Sequence, residues 1–79
     1  MQPYRNLEGH AGVTSYEIGD DFIKAEFHDG IVYVYDYRNP GAQHVERMKE
    51  LARSGKGLST YISQNVRTAY ARKEKAGAS

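Results

Sequence analysis

The chain reads as an α+β domain in which a three-stranded antiparallel sheet is followed by two helices on one face, in the order β-β-β-α-α. Three observations predict this. The stretch Phe22–Phe27 alternates apolar and polar residues, and Asp29-Gly30 separates it from a second β-rich run at Ile31–Tyr37. After Asn39-Pro40-Gly41 the apolar period changes from two to that of a helix. Seventy-nine residues provide for one domain with a small core.

Residues 1–12 show no periodicity and predict a mobile or loosely packed lead-in. Val13–Ile18 is rich in β-branched and aromatic residues and predicts the first strand. Gly19-Asp20-Asp21 is a turn, and Phe22–Phe27 is the second strand. His28-Asp29-Gly30 turns the chain into the third strand, Ile31–Tyr37.

That turn decides where the paired tyrosines point. With a three-residue loop and Gly30 in the left-handed region, Phe27 pairs with Ile31. Ile23, Ala25, Phe27, Ile31, Tyr33 and Tyr35 then share one face. With a two-residue loop, Tyr33 and Tyr35 instead join Lys24 and Glu26, because a one-residue slip turns every side chain over. The first register is favoured, since the second sets Asp36 on the apolar face beside Ile23. It makes Tyr33 and Tyr35 part of the core boundary, whereas the second makes them an exposed platform.

Ala42, Val45, Met48, Leu51 and Ala52 recur at helical spacing. Glu46–Lys49, Arg47–Glu50 and Glu50–Arg53 are opposite charges three apart, which support a solvated helix face. Gly55 is placed to end this helix. Ser59 is placed to cap a second one, with Ile62, Val66, Ala69 and Tyr70 as its apolar stripe. Lys73 falls on that stripe, so the helix should fray there, and residues 74–79 form a flexible tail.

Charge is unevenly spread. Residues 1–40 hold three cations against seven acids, a net −4, and residues 41–79 hold eight against three, a net +5. The basic half suits a polyanion, and the two halves also suit docking between copies. The predicted second helix would align Tyr61, Gln64, Thr68 and Arg72 on one side, with Arg67 beside them. A tyrosine among cations and amides can stack a base and neutralise phosphates; the plain alternative is a solvated helix face. Lys56, within Ser54-Gly-Lys-Gly57 before that helix, adds an anion-binding feature, although the glycines also serve a tight turn.

Other chemistry is excluded by what is missing. There is no cysteine, hence no disulfide framework and no thiolate metal site. His10, His28 and His44 have no metal-ligand spacing. No nucleophile elbow, P-loop or dinucleotide fingerprint is present. The expectation is a non-catalytic protein with no metal and no small-molecule cofactor. No apolar run is long enough to span a bilayer and no secretory leader precedes the domain, so the expected location is cytoplasmic and off the membrane.

Phe27-x-x-Gly30-x-x-Tyr33-x-Tyr35, the Pro40-led helix, Ala52-x-x-Gly55-x-x-x-Ser59-x-x-Ile62 and Tyr70 together resemble the KTSC domain. This is a small module found at the C-terminus of some lysyl-tRNA synthetases and as a stand-alone bacterial protein. The resemblance runs over about residues 13–72, so residues 13–73 are expected to be one KTSC-like domain. Asp36-Tyr37-Arg38-Asn39 departs from the family's usual approach to the helix, and the stretch from Ile62 to Tyr70 is about one turn longer. The resemblance implies no catalytic residues. RNA binding is suggested for the family by its synthetase context and its Tyr-x-Tyr motif, which Tyr33 and Tyr35 match. The expected function is therefore RNA binding through Tyr33, Tyr35, Lys56, Tyr61, Arg67 and Arg72. The alternative is a protein-interaction or self-associating module that uses the open edges of a three-stranded sheet.

Overall fold

A computed structural model describes residues 1–7 and 12–75. The chain is α+β, with an antiparallel sheet and helical segments, but the sheet has five strands rather than three. Its strands are β1 (Gln2–Pro3), β2 (Val13–Ile18), β3 (Phe22–Phe27), β4 (Ile31–Asp36) and β5 (Arg72–Lys75). They lie side by side in chain order, each antiparallel to its neighbour. Two helices, α1 (Ala42–Ser54) and α2 (Leu58–Tyr61), come between β4 and β5. The second runs directly into a π-helical turn over Ile62–Val66.

The central strands follow their sequence pattern. In the β3–β4 hairpin Ala25 faces Tyr33 and Ile23 faces Tyr35, the register of a three-residue loop. Gly30 sits at φ +85, and its N–H donates to the Phe27 carbonyl at 2.9 Å. No Cβ clash enforces glycine there, so the backbone conformation alone demands it. The Asp29 carboxylate also accepts the Ile31 N–H at 2.9 Å, which stiffens the loop.

Both additional strands correct the expected three-stranded sheet. At the start of the chain, Gln2 pairs with Tyr16 and Pro3 with Ser15. Tyr4 follows them into the core, with only 6% of its surface exposed. Its hydroxyl accepts the Leu58 N–H at 3.2 Å. Part of the expected lead-in is thus a structural strap, while residues 8–11 lie outside the described residues. At the other end, helix does not continue to Arg72. The π-helical turn ends at Val66, Ala71 donates to the Val34 carbonyl at 2.7 Å, and Arg72–Lys75 pair along β4. The expected flexible tail therefore begins inside a strand, and its last four positions, 76–79, are not among the described residues.

α1 covers the sheet through Val45, Met48, Lys49 and Ala52. Lys49 is buried although charged, and its ammonium is satisfied by Glu46 at 2.8 Å and the Asp20 carbonyl at 2.9 Å. Gly55 ends the helix at φ +81, where its N–H reaches the Leu51 and Ala52 carbonyls. Leu7 donates to the Gly55 carbonyl at 2.7 Å, so the N-terminal strap also fastens the end of α1. Ser59 does not cap its own helix. Its hydroxyl accepts the Val13 N–H at 3.1 Å and ties α2 to β2, while Tyr4 takes the capping position at Leu58.

Candidate functional site

The side chains that the sequence singles out are divided among several surfaces. Tyr35 is 1% exposed and belongs to the core with Ile23, Met48 and Leu58. Burial pushes its hydroxyl pKa well above the usual tyrosine range, and the neighbouring Tyr33 and Tyr70 add to the shift. It offers no ring face to a ligand. Tyr61 is half-buried on α2, edge-on to His44, with its hydroxyl 2.7 Å from His44 Nδ1. It lines a shallow groove with Arg47, Gln64 and Asn65. Lys56 is exposed in the link between the helices, but the Leu58 amide behind it is already occupied by Tyr4.

Arg72 is furthest from its expected place. It stands opposite Val34 in the β4–β5 pair, whereas Tyr33 stands opposite Lys73. Alternation along a strand therefore puts Arg72 on the sheet face away from Tyr33. There it pairs with Glu74 at 2.8 Å, and Lys24 approaches the same carboxylate at 3.6 Å. Arg72's hydrogen bond, then the charge of Lys24, hold the Glu74 carboxyl below the usual glutamate range. The expected row of Tyr61, Gln64, Thr68 and Arg72 does not form, because the helix carrying it stops short.

What the fold does bring together is Tyr33 and Arg67. Tyr33 is half-buried between two rings, Phe27 at 5.3 Å and 90° and Tyr70 at 5.1 Å and 62°. Such edge-to-face contacts fix ring orientation. Phe27 and Tyr33 form one side of a depression closed by Ile62 and Ser63 of the π-helical turn and by Arg67 at its C-terminal end, with Asp29 at the hairpin loop. Its volume is about 200 Å³, below the range of drug-sized ligand pockets, about 300–1,000 Å³. It suits one planar group rather than an extended small molecule. Arg67 is exposed and makes no hydrogen bond or ion pair among the described residues, even though Asp29 lines the same depression. Lys73, across the strand pair from Tyr33, adds a second exposed cation on that face.

Sequence reasoning missed Phe27, Asp29 and Ser63 as partners of Tyr33. The hairpin register placed Phe27 and Tyr33 on one face, and that signal was available. The π-helical turn, which presents Ser63 and Arg67 to the cleft, has no comparable signature; such turns are frequent at functional sites. The described residues contain no group of three or more His, Cys, Asp or Glu able to hold a metal, and no helix long and apolar enough to cross a membrane. No protein-family model, curated protein or solved structure matches the chain.

Proposed function

We propose that this is a non-catalytic, KTSC-like domain that binds single-stranded RNA, taking a base into the Phe27–Tyr33 cleft while Arg67 and Lys73 meet the adjacent phosphates. The observation that carries the reading is an exposed arginine, without an ion pair among the described residues, beside a half-buried aromatic wall. Single-stranded nucleic acids are held by this combination of stacking and charge neutralisation. Tyr35 then supports the wall from within the core, and Tyr61 with Lys56 provides a secondary contact beyond α2. Arg72 has no direct part, since it is engaged on the opposite face.

Self-association through strand edges has less to support it. One outer edge is β1, only two residues long and ending in Pro3, and the other is the charged Arg-Lys-Glu-Lys of β5. Short, charged and proline-containing edges are poor templates for further pairing.

Fluorescence anisotropy with labelled single-stranded RNA of mixed sequence, titrated at several salt concentrations, tests the RNA reading. Arg67→Ala should weaken binding and flatten the log-log salt slope by about 0.7 per lost phosphate contact. Its thermal stability should match the parent, because Arg67 makes no hydrogen bond or ion pair among the described residues. Absence of wild-type binding at low salt would reassign the domain to protein recognition.

A further inference from the structure

Asp29 is the odd member of the cleft. A carboxylate repels phosphates, yet this one lines the cavity proposed to accept RNA. It is also fixed in place, with one oxygen receiving the Ile31 N–H at 2.9 Å. Arg67 does not neutralise it, for no ion pair joins the two. The second oxygen and the spare lone pair of the first remain available as acceptors.

An acceptor-only group makes a demand on the base beside it. The Watson–Crick edge of uracil presents one N–H between two carbonyl oxygens, which a carboxylate repels. Cytosine and adenine each present an amino donor next to a ring-nitrogen acceptor. Guanine alone presents two adjacent donors, N1–H and the 2-amino group, and these match the two oxygens of a carboxylate. Charge-assisted pairs of this kind are the strong ones, and they are directional. From the juxtaposition of Asp29 with the Phe27–Tyr33 wall we infer that the cleft is a guanine subsite. The ring packs against the aromatic wall, Asp29 accepts from N1–H and the 2-amino group, and Arg67 takes the neighbouring phosphate. This rests on the RNA reading and adds base identity to it. It also explains an acid in a cationic site: the carboxylate sacrifices general affinity to discriminate among bases.

The test uses four labelled hexanucleotides, uridine at every position except a central G, A, C or U, with the wild-type chain, Asp29→Asn and Arg67→Ala. Wild type should bind the G oligonucleotide about tenfold or more above the others, the scale of one good bidentate base contact. Asp29→Asn keeps an oxygen for the Ile31 amide, so the loop is retained, but it replaces an acceptor with a donor; the preference should fall below about twofold. Arg67→Ala should weaken all four alike and leave the preference intact. Equal wild-type binding to all four oligonucleotides would overturn the guanine assignment and leave RNA binding standing. So would an Asp29→Asn variant that gains affinity uniformly, since the carboxylate would then only repel. Failure of every oligonucleotide to bind would remove both readings together.

Discussion

The two faces of the sheet are made from alternate residues of the same strands, yet they are closed by different means. The helical face buries Ile23, Ala25 and Tyr35 under Val45, Met48 and Leu58, all at 1% exposure or less. On the other face Val32 and Val34 are also buried, at 6% and 3%, but no helix among the described residues covers them. Their flanking positions in the register are Glu26 and Glu74 for Val32, Lys24 and Arg72 for Val34. Long charged side chains lie along the valines and keep their heads in water, as amphipathic side chains do. Burial as a number is therefore the same on both faces, while its physical basis is not. One side is a close-packed interior that tolerates no void. The other is an adjustable cover whose charged ends are screened and exchangeable.

Paired deletions should bring this difference out most strongly. Tyr35→Ala should cost about 3–5 kcal/mol, the range for emptying an aromatic site in a rigid core. Val34→Ala should cost only about 1–2 kcal/mol, near the transfer value of the lost methyl groups, because the Lys24 and Arg72 stems can settle into the space. Denaturant titration of both variants measures the contrast. Similar costs would mean that the outer cover is as rigid as the core.

A smaller effect concerns the charges themselves. Lys24→Ala should cost under about 1 kcal/mol, and its effect should shrink with added salt. Glu74 links this cover to pH. Its folded-state pKa is lowered by Arg72 and Lys24, so its contribution is complete above the ordinary glutamate pKa and is lost as pH falls through the folded value. Glu46, lowered by its bond to Lys49 and then by Tyr37, behaves in the same sense on the helical side. Thermal melts from pH 7 down to pH 3 should therefore show a weaker acid dependence in Glu74→Gln than in the parent chain.

The central hairpin was legible because each residue obeyed one rule. Alternation in Ile23–Phe27 and the penalty on an inward Asp36 fixed the register, and Gly55 marked the end of α1. The sheet edges followed no such rule. Gln2–Pro3 is too short to show a period, and Arg72-Lys-Glu-Lys75 is made of good helix formers. That segment becomes a strand because β4 offers unpaired backbone groups, a tertiary reason absent from local propensity. The site shared this fate. Tyr33 was visible as a motif residue and Arg67 as a cation, but their meeting depends on where the last helical segment stops. The π-helical turn decided that, and it also carried Arg72 away.

The N-terminal strap gives the molecule a particular kinetic character. The β2–β3 and β3–β4 hairpins close short loops, whereas β5 returns to β4 only after both helices. Val13 to Ser59 and Tyr4 to Leu58 bridge 46 and 54 residues, longer separations than any in the β4–β5 pair. Loop-closure entropy grows with separation, by about 0.6 kcal/mol per doubling. Contacts of this length are the ones a folding transition state is least obliged to contain, and those govern how long the native state persists. Tyr4→Phe, which removes the acceptor for the Leu58 amide, should accordingly raise the unfolding rate in stopped-flow measurements and leave the refolding rate nearly unchanged. An equal slowing of refolding would place the strap in the nucleus. With refolding spared, its few residues act as a latch on the lifetime of a domain whose central hairpins assemble locally.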